Sequence, residues 1–138
     1  MIAPRLGIMP MDAFYNYVLH LFSGLLMVGG FAAIYMWVTP FHELALIRQG
    51  VVAPALSLGG AVIGFSLTVA SSILHNDHYL LFLLWCVSGL SVQVMAYALL
   101  ARAFPRLPGQ LASNNVAAGA AAGVVSLVVG IVNAACMS

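Results

Sequence analysis

Hydrophobic residues run through this chain in four long blocks, and polar residues are confined almost entirely to the gaps between them. Residues 14–38 carry no formal charge. At about 1.5 Å of rise per residue, such a helix crosses a hydrocarbon core of about 30 Å with some tilt. Thr39-Pro40 closes the block, because the residue before a proline disfavours the helical region. Further blocks follow at about 51–74, 79–101 and 115–137. Pro54 falls in the first turn of the second, where its missing N–H removes no helical bond. Pro105, Pro108 and Gly109 break the chain after the third, and Asn114 or Asn115 is placed to cap the fourth. The first block is longer than the apolar region of a cleaved signal and is expected to be retained. The pattern predicts an all-α transmembrane fold, a single four-span domain over residues 1–138.

Composition agrees. Of 138 residues, 64% are hydrophobic and 5% charged, against roughly 25% charged in a soluble domain. Seven formal charges (Arg5, Asp12, Glu43, Arg48, Asp77, Arg102, Arg106) cannot cover a water-facing surface. All seven fall outside the spans or at their ends, since a charge at a helix centre costs about 2.5–3.5 kcal/mol. Tyr15, Tyr17 and Tyr79 bracket the spans on one side and Tyr35, Trp37, Phe41 and Phe104 on the other, which predicts two headgroup-level belts. A net charge of +1 provides no field for nucleic acid. Cys86 and Cys136 form neither a CxxC pair nor a disulfide framework.

The connections around 39–50 and 102–114 share one side and carry Arg48, Arg102 and Arg106, whereas the other side has only Arg5. The positive-inside rule then places both connections in the cytoplasm and both termini outside. The first connection is expected to hold a short interfacial helix, with Thr39 as cap, Pro40 in first position and Gly50 at its end. Shifting the chain by 64 residues lays the first two spans on the last two without a gap. Tyr15 meets Tyr79, Gly59 meets Gly123 and Ala70 meets Ala134. This predicts a four-helix bundle built from two similar hairpins in parallel repeat.

Helix association in lipid depends on close packing, which small residues permit. Gly59, Gly60 and Gly64 in the second span, and Gly119 and Gly123 in the fourth, are the expected packing positions. Spans two and four should be central, with the bulkier spans one and three against lipid. The small residues serve equally a contact within one chain or one between copies, so a homo-oligomer is expected alongside the lipid bilayer as partner. Three polar residues lie inside spans: His20, Gln93 and Asn133. Gln93 and Asn133 suit interhelical hydrogen bonds, and His20 a bond to a neighbouring helix. The serines and threonine of span two suit bonds to their own backbone. The turn His75-Asn-Asp77-His78 has no recognised metal spacing, so neither a metal nor another cofactor is expected. No nucleophile motif, HExxH or P-loop occurs, which argues against an enzyme.

Two segments together carry a family resemblance. One is Thr39-Pro-Phe-His-Glu43-Leu-Ala-Leu-Ile47, leading into the Gly/Ala-rich second span. The other is Asn114-Asn115-Val-Ala-Ala-Gly119, ending in Asn133-Ala-Ala-Cys-Met137. Over nearly its whole length the chain resembles the YjfL-like bacterial inner-membrane proteins, domain of unknown function 350. The resemblance implies a four-span inner-membrane protein with two similar halves and a link to envelope-stress systems with phage-shock-protein-A-like cytoplasmic partners. It marks Thr39, Pro40, Glu43, Asn114, Asn115 and Asn133 as positions of interest. With Arg48, the connector residues among them form the candidate cytoplasmic face. The expected role is a membrane-embedded interaction component without catalysis; the alternative is an oligomeric ion or small-solute channel.

Overall fold

The computed structural model describes residues 11–137, so Arg5 lies outside the described residues. Six helices follow one another: α1 (Met11–Val38), α2 (Glu43–Arg48), α3 (Val52–His75), α4 (Tyr79–Ala103), α5 (Leu107–Ala112) and α6 (Val116–Ala135). α1, α3, α4 and α6 are long and apolar enough to cross a membrane. α2 and α5 lie at one end of the bundle, and the α3–α4 turn lies at the other with the start of α1.

The two connectors depart from the sequence expectation in instructive ways. α2 begins at Glu43, with His42 rather than Thr39 at its N-cap and no side-chain cap bond. The Thr39 hydroxyl is engaged elsewhere, on Met36 O and the Glu43 carboxyl. The second connector, expected to be broken by Pro105, Pro108 and Gly109, contains helix α5. Pro108 sits in its first turn, where no backbone donor is needed. Leu107 and Leu111, one turn apart, enter a small core with Ala53 and Ala122, and this burial holds the short helix in place.

α5 begins and ends 64 residues after α2. The same offset separates Gly50 (φ +81°) from Asn114 (φ +61°), the two left-handed residues that reverse the chain into α3 and α6. Asn114 also works across the bundle. Its Oδ1 accepts the N–H groups of Val52 at 3.0 Å and Ala53 at 3.1 Å, capping α3 from the other hairpin. Asn115 caps its own helix, accepting Ala118 N–H at 3.1 Å. Asn114→Ala should therefore lose a cap, about 1–2 kcal/mol, and add the strain of a left-handed alanine, about 1–2 kcal/mol. Asn114→Gly should recover only the second part. Unfolding midpoints in lipid nanodiscs distinguish the two.

α3 occupies the centre and packs against every other helix, most extensively against α6. The α3–α6 seam is backbone on backbone. A Cβ added at Gly60 would stand 2.3 Å from Gly123 O, and one at Gly130 2.3 Å from the Gly64 backbone. Gly119 and Gly123 press likewise on the carbonyls of Ala53 and Leu56. These small residues are thus used up within one chain. Gly59 is the exception among the expected packing positions: a Cβ there meets nothing within 4 Å, because it points off the seam. α1 and α4 lie mostly exposed, with Phe22, Leu25, Leu26, Leu84 and Trp85 on the outer surface. Tyr15, Tyr17, Trp37 and Phe104 are exposed near the helix ends as belt residues would be. Tyr35 is not a belt residue; it is buried at 2% exposure because its hydroxyl finds a partner inside the bundle.

Candidate functional site

The residue that stands out chemically is Glu43. A carboxyl is almost never fully buried without a paired charge, yet Glu43 is 2% exposed at the first position of α2. Three elements close around it. Thr39, just past α1, hydrogen-bonds Oε1. Tyr35, one turn earlier on α1, bonds Ser57 Oγ of α3 at 2.7 Å. Tyr97 of α4 packs against Tyr35 in a tilted arrangement, with ring centroids 4.8 Å apart. Both tyrosines lie within electrostatic reach of the carboxyl. Two atoms in this cluster have no hydrogen-bond partner: Glu43 Oε2, an acceptor, and Tyr97 OH, a donor.

Thr39 has one hydroxyl hydrogen and two acceptors in reach, Met36 O at 3.1 Å and Glu43 Oε1. That hydrogen is shared between the backbone carbonyl and the carboxyl, so the Thr39 hydroxyl serves the Glu43 oxygen only in part. Burial pushes the Glu43 carboxyl above its ordinary range, against the smaller opposing effects of the Thr39 hydroxyl, its own backbone N–H and nearby His42. A neutral carboxylic acid leaves Oε2 as an orphaned carbonyl, far less costly than an orphaned anion. The cluster is therefore a buried polar anchor that holds α2 against α1, α3 and α4.

Glu43 cannot belong to a solvent-facing contact surface, since its side chain points into the bundle. Its companions on the connector face behave differently: Pro40 and Arg48 are exposed, as are Asn114 and Asn115, whose side chains serve as caps. Thr39 is buried with Glu43. Sequence reasoning missed Tyr35, Ser57 and Tyr97. The spacing Tyr35–Thr39–Glu43, four residues each, was the available signal.

A second polar cluster lies deeper, between α3, α4 and α6. Gln93 Nε2 donates to Ser126 O at 2.7 Å, and its Oε1 is unpartnered. Asn133 Nδ2 reaches Thr68 Oγ1 at 3.4 Å, and Thr68 in turn approaches Gly130 O at 3.3 Å. Ser71 donates to Ala134 O at 2.7 Å and Ser72 to Phe82 O at 3.0 Å. Span-two hydroxyls thus bond across helices more than to their own backbone, because the glycine seam brings α6 carbonyls within reach. His20 does the reverse. Its Nδ1 donates to Asn16 O at 2.8 Å on its own helix, while the ring packs against Tyr79 and Phe82 of α4.

Comparison with known proteins follows the same outline. The model of the family described as Domain of Unknown Function (DUF350) matches residues 8–137. UPF0719 inner membrane protein YjfL of Escherichia coli (strain K12) is 29% identical over 128 residues, covering 93% of this chain and 97% of the relative. The protein of the same name in Escherichia coli O157:H7 matches at the same identity and coverage. No solved structure matches. With the match spanning all four membrane helices and both connectors, this chain belongs to the DUF350 family.

Proposed function

We propose that the protein is a non-catalytic, multi-pass inner-membrane component that docks a cytoplasmic partner on the end formed by α2 and α5, with both termini on the far side of the bilayer. The observation that carries this reading is uncompensated charge. Arg48, Arg102 and Arg106 are exposed at that end. The only acid there, Glu43, is turned inward, and Asp12 and Asp77 lie at the opposite end. Free guanidinium groups beside a membrane steer and orient an acidic partner surface. A phage-shock-protein-A-like protein is the partner to test first. Replacing the three arginines by glutamine should abolish its co-purification from membranes at low salt while leaving the bundle folded. Undiminished recovery would remove the reading.

Orientation has its own test. Cys136 is exposed at the end of α6 and Cys86 is buried. A membrane-impermeant thiol reagent should label Cys136 in spheroplasts and spare it in inverted vesicles; the opposite pattern would place the connectors outside.

Self-association fits the outer face of α6, where Ala117, Ala121, Val124, Val128 and Ile131 are exposed at alternating spacings of four and three. A channel finds less support. The α3–α6 seam is closed backbone to backbone, so any path would run between copies.

A further inference from the structure

At the end away from the connectors, α1 overhangs the α3–α4 turn and leaves an open cavity of about 470 Å³. This lies within the range of about 300–1,000 Å³ typical of small-molecule sites. Asn16, Tyr17 and His20 of α1 face Asn76 and Asp77 of the turn across it, and Leu21 and Ile73 form its apolar side.

The hydrogen-bond inventory of this cavity includes several acceptors on the turn and on His20. A backbone carbonyl only accepts, so the 2.8 Å contact with Asn16 O puts a hydrogen on His20 Nδ1. That contact leaves Nε2 as the ring position free to meet a ligand. Asn76 Nδ2 is committed to Ser72 O at 2.9 Å, leaving Oδ1 as an acceptor. The Asp77 carboxylate adds acceptors and a negative charge, and Asp12 in the first turn of α1 adds a second charge at the same end. Every Arg of the described residues stands at the other end. Convergent acceptors with net negative charge suit a cation that carries several N–H donors, which is a primary ammonium.

Depth points to its carrier. The turn joins two membrane spans and so lies at the bilayer surface, with Leu21 and Ile73 on the hydrocarbon side of it. We propose that this cavity is a headgroup site for an aminophospholipid. Its ammonium is held by Asp77, Asn76 and His20, and its chain rests along Leu21 and Ile73. The Tyr17 hydroxyl and Asn16 amide supply donors for the adjoining phosphate. The site is independent of the connector end and of any partner docked there.

The test is lipid retention by native mass spectrometry from an equimolar mixture of phosphatidylethanolamine, phosphatidylcholine and phosphatidylglycerol. Wild type should retain phosphatidylethanolamine several-fold over the other two, because the choline ammonium has no N–H and the glycerol headgroup no cation. Asp77→Asn should bring it down to the phosphatidylcholine level, and Ile73→Trp, which fills the apolar side, should also remove the preference. Both positions are exposed, so neither variant endangers the fold. Equal retention of the three lipids by wild type, or a full preference in Asp77→Asn, would overturn the assignment. Free ethanolamine should fail to displace the lipid; complete displacement would make the ligand a soluble amine and overturn the lipid assignment.

Discussion

Gly60→Ala should destabilise the folded protein severely, whereas Gly59→Ala, one residue away, should be neutral or slightly stabilising. The methyl group at position 60 would have to lie 2.3 Å from a backbone oxygen of α6 and 2.5 Å from Gly123 Cα. No flexible side chain can move aside there; the two helices must separate. Separation loosens every contact along the seam, including the Thr68–Gly130 and Ser71–Ala134 bonds. Overpacking in a tight core costs about 1–3 kcal/mol, and loss of the bonds carried by the seam adds to it, so about 3 kcal/mol or more is expected. At position 59 a methyl meets open space and gains up to about 1 kcal/mol of helix propensity over glycine. Unfolding of the two variants in the same lipid gives the comparison directly. Equal effects would mean that the seam is not where the helices meet.

Glu43 carries the second large effect, and its sign depends on the replacement. Glu43→Gln substitutes a neutral, similarly shaped group whose amide oxygen can still accept from Thr39, so stability at neutral pH should be retained or raised. Glu43→Lys places an unpaired ammonium in a site 2% exposed, and an uncompensated buried charge costs about 3–5 kcal/mol. The pH dependence follows from linkage. Folding raises the carboxyl's pKa above its ordinary value of 4.5, so the folded state binds the proton more tightly. The resulting stabilisation is complete below that ordinary value and is lost as pH rises through the elevated folded value. Wild type should therefore unfold more easily as pH increases across this window, and Glu43→Gln should show a flat profile there. A stability that falls on acidification through the same range, and that Glu43→Gln abolishes, would mean that Glu43 is held as an anion.

The four membrane helices were legible from the chain because their signals are coarse. Charge is absent for more than twenty residues at a time in the first block, and Pro40 and Pro105 mark where helices must stop. The connectors were harder. Pro108 and Gly109 look like breakers, yet a proline in a first turn costs nothing and Leu107 and Leu111 provide a buried face. Gly50 and Asn114 differ as residue types, and that difference hid a shared backbone conformation. Glu43 was legible as a position of interest but not as a buried one. Its burial involves Tyr97, from a helix far along the chain, and Tyr35, held in place by Ser57, and each on its own resembles ordinary span filling. Gly60 and Gly59 show the same boundary: adjacent glycines on one helix are told apart only by where the partner helix lies.

α3 and α6 meet within a single chain. Ser71 and Ala134 lie across that seam, with the serine oxygen 2.7 Å from the Ala134 carbonyl. In a background with Cys86 and Cys136 replaced, Ser71→Cys together with Ala134→Cys should form a disulfide under mild oxidation in native membranes, and the product should run as a monomer. Co-expressed single-cysteine chains should not crosslink. A dimer formed from the two single-cysteine chains, with no bond inside the double variant, would contradict the account.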